Sequence, residues 1–379
     1  MSDRVTTAGT TGPPDVPFMR RALELALRGL GMVSPNPLVG AVVVADGRVV
    51  GRGWHEGPGA AHAEVAALRE AGPTARGATL YVTLEPCAHH GRTPPCAPAV
   101  LKAGIARVVA ATGDPNPEVD GRGFRVLSDG GVEVATGLLA AEAERQNAGF
   151  LKHVRTGLPF VTVKMAASLD GKAAARDGSS RWITGEAARS DVHRLRAASD
   201  AVMVGAGTVA ADDPSLTVRL DGYRGRQPAR VVVDASGRTV PTATLLDGAA
   251  PAIVATTEAA PDPVRAAWEA AGAEVLVLPA EGAGGGVPLA ALMAALGKRD
   301  AQSVLIEGGP TVAWSAVRDG VVDRLVVYLA PKLVGGERAP GLIGGPGVDE
   351  IAAAVPLVFE SVDRIGADLR IVARPARRG

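Results

Sequence analysis

Short runs of Val, Ile, Leu and Ala alternate with amphipathic stretches along nearly the whole chain, and this alternation restricts the fold more than any other feature. Apolar runs of about four to eight residues bounded by turn residues read as buried strands, and apolar residues three and four apart read as helices packed on them. The chain is therefore of the α/β class. In the first part, Phe18, Met19, Ala22, Leu23, Ala26, Leu27 and Leu30 predict a helix closed by Gly31, and residues 38–44 and 48–53 predict a hairpin turned at Asp46-Gly47. Residues 62–71 and 96–103 read as helices, and residues 79–84, 106–112 and 131–136 as strands. The segment around residues 150–159, with Lys152, His153, Arg155 and Gly157, is polar and is expected to mark the boundary between domains. Beyond it, strands are expected at residues 160–164, 201–204, 229–234, 252–256, 274–278, 303–307 and 324–329, helices at 263–271, 289–296 and 311–317, and a glycine-rich surface loop at 281–287. A length of 379 residues fits two domains of about 100–200 residues each. The expected division is 18–154 and 159–379, preceded by residues 1–17, a tail rich in Thr, Gly and Pro that is expected to be disordered.

Lys plus Arg (40) balance Asp plus Glu (40), so no whole-molecule field draws the chain to nucleic acid or to an anionic membrane. Aromatic residues are only 3%, too few for base-stacking platforms. With 47% hydrophobic and 21% charged residues, a disordered chain, a collagen-like repeat and a disulfide scaffold are excluded. The expected partner is a small molecule. No apolar run is long enough to span a bilayer and the first residues lack a secretory apolar stretch, so a cytoplasmic location is expected. In that reducing compartment Cys87 and Cys96 are expected to bind metal rather than to form a disulfide.

His62-Ala63-Glu64 opens a helix, and Pro86-Cys87 followed by Cys96 adds two thiols near helix starts. An imidazole and two thiolates are zinc ligands, and three protein ligands leave the fourth position that a catalytic zinc keeps for water. Glu64 follows His62 by two positions, about 200° around a helix, so it is expected to shuttle protons at that water rather than to bind the ion. Were His89 or His90 a fourth ligand, the site would be closed and structural. The order His-x-Glu, Pro-Cys, Cys is the pattern of the zinc-dependent nucleobase deaminases, in which activated water attacks an amino-bearing ring carbon and ammonia leaves. That superfamily spaces its cysteines by two residues, whereas residues 88–95 intervene here.

Taken with Asn36-Pro37-Leu38-Val39-Gly40 and Gly53-Trp54-His55, the string Pro86-Cys87-Ala88-His89-His90-Gly91-Arg92-Thr93-Pro94-Pro95-Cys96 closely resembles the deaminase half of the bifunctional riboflavin-biosynthesis deaminase/reductases. The resemblance implies a cytidine-deaminase-like α/β/α domain acting on a diaminopyrimidinone that carries a ribosylamino phosphate. It also implies that Asn36 and His55 help to hold the ring. Arg92 and the histidines His89 and His90 are near enough in sequence to face the same pocket, and the Arg92 fork suits the phosphate, although it also reads as a solvated loop residue.

In the second half, Val202-Met203-Val204-Gly205-Ala206-Gly207-Thr208 and Ile306-Glu307-Gly308-Gly309-Pro310-Thr311 are strands running into glycine turns. Such turns let a phosphate approach a helix N-terminus, although neither is a G-x-G-x-x-G fingerprint. From about residue 160 onward the chain resembles the reductase domain of the same family, which implies a dihydrofolate-reductase-like α/β fold and NADPH. The resemblance places Ala166, Trp182, Thr208, Asp212, Ser236, Gly308, Gly309, Pro310 and Thr311 against NADPH. It places Ser180, Arg196, Leu216, Arg219 and Glu307 against the ribosyl phosphate. Ser236-Gly237-Arg238 is suited to the 2′-phosphate of NADPH, and Asp212-Asp213-Pro214 also reads as a plain Asx turn. Lys164 and Asp170, polar groups at a strand end, are candidates for the proton donor. The implied activity is zinc-dependent deamination followed by NADPH reduction of the ribosyl chain to ribityl, in a chain that resembles oligomeric enzymes. The alternatives are a cytosine or adenine deaminase joined to an unrelated reductase, and a zinc-stabilised binding protein whose four zinc positions are filled by protein.

Overall fold

Asp46 and Gly47 take the positive φ angles, 49° and 73°, that a tight two-residue hairpin turn requires, and they join β1 (Gly40–Ala45) to β2 (Arg48–Trp54). The computed structural model describes residues 11–91, 93–117, 119–280 and 285–376. Two compact units are present, Met1–Thr156 and Gly157–Gly379.

In the first unit, β3 (Thr79–Val82), β4 (Arg107–Ala110) and β5 (Glu133–Thr136) complete a sheet of order β2-β1-β3-β4-β5, parallel from β3 to β5. Alternation sorts its residues. Val42, Val44, Tyr81, Val109 and Ala135 face α1 (Val16–Ala26) and α5 (Ala140–Gln146). Ala41, Val43, Leu80, Val82, Val108 and Val134 face α2 (Ala63–Ala71), α3 (Cys96–Ala103) and α4 (Arg122–Asp129). The result is an α/β/α layer, with a final helix α6 (Ala148–Thr156). Helix α2 lies close on β2 because Gly51 and Gly53 leave room: a Cβ there would stand 2.2 Å from the Ala67 carbonyl oxygen and 2.1 Å from that of Ala63. That approach holds the start of α2 against the sheet.

Residues 12–17, read from sequence as part of a disordered tail, are instead built into this unit; residues 1–10 lie outside the described residues. Asp15 is buried and its carboxylate accepts hydrogen bonds from the Tyr81 hydroxyl (2.6 Å) and the Arg107 guanidinium (2.9 and 3.1 Å). The Arg107 bond, outweighing burial and aided by Tyr81, holds Asp15 down at about 2. Its folded pKa thus lies below the unfolded value, and its stabilisation is full above about pH 4 and is lost as pH falls through the folded value. Asp15→Asn is expected to destabilise the unit by about 1–3 kcal/mol at pH 7. Urea unfolding at pH 7 and pH 3 checks this, the parent–variant difference narrowing at the lower pH.

The second unit carries β6 (Phe160–Ser168), β7 (Ala201–Gly205), β8 (Ala229–Val233), β9 (Ala252–Thr256), β10 (Glu274–Val277), β11 (Ser303–Ile306), β12 (Arg324–Ala330), β13 (Leu357–Ile365) and β14 (Asp368–Pro375). Their order is β10-β9-β8-β7-β11-β6-β12-β14-β13, parallel from β10 to β12, with β14 and β13 antiparallel at the edge. One face packs on α10 (Leu289–Gly297) and α11 (Pro310–Arg318). The other packs on α7 (Glu186–Ala197), α8 (Ala206–Asp212) and α9 (Asp262–Ala270), whose Trp268 is fully buried. The carboxyl ends of β6, β7, β8 and β11, where open parallel sheets bind ligands, all open on one side.

Several expectations change. The polar stretch at 150–159 is largely the helix α6, which buries Leu151 and exposes Arg155. Strand β6 runs four residues beyond the expected 164, to Ser168. Of the loop at 281–287, residues 281–284 lie outside the described residues. Among the described residues no helix is long and apolar enough to cross a membrane.

Candidate functional site

Three segments of the first unit converge. His62 precedes α2 in extended conformation (ψ 158°), Cys87 follows β3, and Cys96 is the first residue of α3. His62 Nδ1 lies 3.1 Å from Cys96 Sγ and 3.5 Å from Cys87 Sγ, and the ligand atoms of all three lie within 4.8 Å of one another. Ligand bonds of about 2.0–2.3 Å in a tetrahedral site set the donors about 3.3–3.8 Å apart, so this donor set fits a zinc ion. Both cysteines are free thiols, as the metal reading requires. Neither His89 nor His90 joins the cluster among the described residues. The loop ends are tied by backbone donors: Cys96 N–H donates to Cys87 Sγ (3.4 Å) and Ala97 N–H to the Cys87 carbonyl (3.0 Å). Hydrogen bonding between the two thiols holds Cys87 down and pushes Cys96 up.

Glu64 is 3% exposed. Burial, and then the charge of Cys87, pushes its carboxyl up to about 7, with Cys96 in hydrogen-bonding reach. A carboxyl with that value can both take and give a proton near neutral pH. The expected 200° separation from His62 does not apply, because His62 caps the helix rather than belonging to it, and Glu64 in the first turn faces the same thiols.

Asn36 and His55 also meet here. The Asn36 side-chain amide donates to His55 Nε2 (2.9 Å), and His55 Nδ1–H donates to the Ala61 carbonyl (3.3 Å). Burial lowers the His55 pKa, which matches this neutral tautomer, and its ring stands edge-on to His62 with centroids 5.5 Å apart. His89 lies within electrostatic reach of Asp114, whose pKa is raised by burial. Arg92 lies outside the described residues. Sequence reasoning missed three contributors. Thr93 Oγ1 is 3.0 Å from His62 Nε2, and Asn116 N–H donates to Asp114 (2.9 Å). The buried Glu85 carboxylate accepts from the backbone of Asp114, Gly121 and Gly123 and so fixes the loop that carries Asp114. The turn text Asp114-Pro115-Asn116-Pro117 was a usable signal for the loop; nothing in the sequence marked Thr93.

In the second unit a cavity of about 1360 Å³ opens at the carboxyl ends of the parallel strands. Its walls include Lys164 and Ala166 of β6, Ser180 and Trp182, Arg196 of α7, and Thr208 and Asp212 of α8. Leu216, Arg219, Ser236, Glu307 and the turn of Gly308, Gly309, Pro310 and Thr311 complete the expected set. The two glycine turns are joined, Gly309 N–H donating to Thr208 Oγ1 (3.1 Å), and a Cβ on Gly308 or Gly205 would come within 2.8 or 2.7 Å of the Val312 side chain.

Asp170 is the exception among the expected reductase residues. It stands outside the cavity wall, accepts from the Ser168 hydroxyl and from the Val334 and Gly335 backbone, and is held by those bonds at about 2. Its carboxylate anchors the 334–335 turn. Arg196 and Glu307, both expected against the substrate, are paired with each other. They form a two-pronged ion pair (2.6 and 2.9 Å) with side chains only 11% and 8% exposed, and Arg196 donates further to the Thr217 carbonyl (2.9 Å). Arg219 is exposed at the cavity, anchored through Ser215 and Thr217. His193, also missed, accepts the Arg219 backbone N–H (3.2 Å). Burial pulls the Lys164 ammonium down, with Glu307 acting in the opposite sense.

The two units define the class: a deaminase-type zinc unit followed by a dihydrofolate-reductase-like α/β unit. Residues 14–112 match the cytidine and deoxycytidylate deaminase zinc-binding region, and residues 159–371 match the RibD C-terminal domain. The chain is 45% identical over 367 residues to riboflavin biosynthesis protein RibD of Escherichia coli (strain K12), covering 93% of this chain and 97% of that protein. It is 42% identical over 365 residues to the protein of the same name from Mycobacterium tuberculosis, covering 94% and 96%. Acinetobacter baumannii RibD superposes with a TM-score of 0.85 at 40% identity, covering 96% of this chain and 99% of that one. The Thermotoga maritima diaminohydroxyphosphoribosylaminopyrimidine deaminase/5-amino-6-(5-phosphoribosylamino)uracil reductase does so at 0.83 and 36%, with the same coverage. The chain belongs to the RibD family of bifunctional riboflavin-biosynthesis enzymes.

Proposed function

We propose that the first unit removes the ring amino group of a diaminopyrimidinone ribosylamino phosphate as ammonia and that the second unit reduces the ribosyl chain of the product with NADPH. The chain is a bifunctional deaminase and reductase of the riboflavin pathway, deamination preceding reduction. The observation that carries the first half is a buried carboxyl, Glu64, beside three convergent zinc-type donors.

His62, Cys87 and Cys96 would hold the zinc, which when bound supplies Lewis-acid activation of water. Glu64 takes the proton from the attacking water and delivers it to the leaving amine. Neutral His55, oriented by the Ala61 carbonyl, and Asn36 hold the pyrimidinone ring, and His89 with Asp114 borders it. Keeping Cys87 and Cys96 as thiols calls for a reducing, cytoplasmic setting.

For NADPH, which supplies the hydride, the second unit offers a fitting cradle. The turn of Gly308, Gly309, Pro310 and Thr311 leads into the free N–H groups of α11, suited to the pyrophosphate. The buried Asp234, just after β8, is turned inward to accept from the backbone of Gly237 (3.0 Å) and Thr239 (2.6 Å). That leaves Ser236 and Arg238 at the cavity for a 2′-phosphate. Trp182, Ala166, Thr208 and Asp212 line the rest of the cofactor path, Ser180 and Leu216 border the substrate, Arg219 takes its phosphate, and Lys164 delivers the proton.

Purified zinc-loaded protein, given the diaminopyrimidinone substrate and NADPH, is expected to release ammonia and oxidise NADPH in equal amounts. Ammonia without oxidation refutes the reductase half, and neither signal refutes both. Arg219→Ala is expected to raise the reductase KM for the phosphate substrate about 10–100-fold, the worth of a charge-assisted hydrogen bond, with ammonia release unchanged. Steady-state kinetics on the deaminated compound checks it.

A further inference from the structure

A fourth side chain, Thr93, stands behind the three donors. His62 turns Nδ1 toward both thiols, 3.1 Å from Cys96 and 3.5 Å from Cys87. Its other ring nitrogen, Nε2, faces the Thr93 hydroxyl at 3.0 Å. A histidine that binds through Nδ1 carries its proton on Nε2, and that N–H then donates to Thr93 Oγ1. Thr93 belongs to residues 88–95, the stretch that separates the two cysteines. Both ends of this stretch are fixed to each other through the Cys96 N–H on Cys87 Sγ and the Ala97 N–H on the Cys87 carbonyl. Thr93 thus links the stretch between the two cysteines to the imidazole.

We propose that Thr93 is a positioning residue for the metal: its hydroxyl fixes the tautomer and ring plane of His62 and so ties the imidazole ligand to the loop that carries both thiolate ligands. The inference rests on reading His62, Cys87 and Cys96 as a metal site. Without the hydroxyl the ring can rotate or carry its proton on the nitrogen that faces the thiols, and each such state must be reversed before the ion is bound. Partners of this kind behind a ligating histidine typically govern metal affinity by about 10–100-fold. The long spacing between the cysteines acquires a purpose, since eight intervening residues reach back to the imidazole.

The test uses the full-length chain and its Thr93→Val and Thr93→Ser variants, the first removing the hydroxyl at nearly constant volume and the second restoring it without the methyl. Zinc affinity is read by competition with a chromophoric chelator, and the ligand field by the visible absorption of the cobalt-substituted protein. Melting of the metal-free proteins reports on folding. Thr93→Val is expected to weaken zinc binding about 10–100-fold and to alter the cobalt bands, with metal-free melting unchanged and Thr93→Ser within about threefold of the parent. A Thr93→Val affinity within about threefold of the parent overturns the proposal. So does a Thr93→Ser variant as weak as Thr93→Val, or a metal-free Thr93→Val chain that melts well below the parent, because either assigns Thr93 to packing. A parent chain that binds no zinc refutes the metal site itself, a different failure from an intact parent with an indifferent Thr93.

Discussion

The Glu64→Gln chain is expected to keep its zinc and to release ammonia about 10²–10⁴-fold more slowly than the parent, the usual worth of a positioned acid–base group. Glutamine preserves the shape of the side chain and removes its ability to take a proton. Glutamine is close to glutamate in size, so the buried position in the first turn of α2 can hold it. NADPH-dependent reduction of supplied deaminated compound should continue at the parental rate, since Glu64 belongs to the other unit. Ammonia release and NADPH oxidation measured separately, with zinc content determined on the same sample, check all three statements. Ammonia release near the parental rate would remove Glu64 from the proton path.

The second large effect lies at Glu307. Its carboxylate is buried, which by itself would raise its pKa, but the Arg196 guanidinium more than compensates and holds it below the usual carboxylate range. Removing one partner of such a pair strands the other charge, at a cost of about 3–5 kcal/mol. Glu307→Ala is therefore expected to lower the melting temperature of the reductase unit by on the order of 10 °C. The same change frees Arg196 from its position over Thr217 and the substrate wall, so reductase activity should fall by about 10²-fold or more while ammonia release persists. Because the folded pKa lies below the unfolded one, the pair's stabilisation is present above the ordinary carboxylate range of about 4.3 and declines as pH falls through the folded value. Thermal scans of parent and variant at pH 7 and pH 3 should converge at the lower pH.

What the sequence made legible follows from range. Most parallel strands are marked by their own Val- and Ile-rich runs, as in Ala201–Gly205 and Ala252–Thr256, where every residue is buried. Helix α7 escaped notice because more than half of its residues are charged, His or Ser, with three Arg among them, and it buries only Ala188, Val192, Arg196 and Ala197. Strands β13 and β14 escaped because β13 is mostly exposed, so no apolar alternation marks it. The zinc-type donors were legible because each sits in a short motif at a helix start. The Arg196–Glu307 pair was not, since it joins residues 111 apart whose relation exists only after β11 settles beside β7. The same holds for Asp15 with Arg107, 92 apart, which turned an expected tail into part of a core. The contacts of Asp170 were not legible either, because the backbone amides that donate to it come from residues 334 and 335.

The most direct test of two chemistries housed in two units is a mixing experiment. Glu64→Gln and Glu307→Gln chains are each supplied with the diaminopyrimidinone substrate and NADPH, first alone and then together, with ammonia and nicotinamide absorbance followed in each reaction. Alone, the first should give neither signal and the second ammonia only; together they should release ammonia and then oxidise NADPH. NADPH oxidation by the Glu64→Gln chain alone, or a mixture that releases ammonia and oxidises nothing, would contradict the assignment of the two reactions to separate and independently working sites.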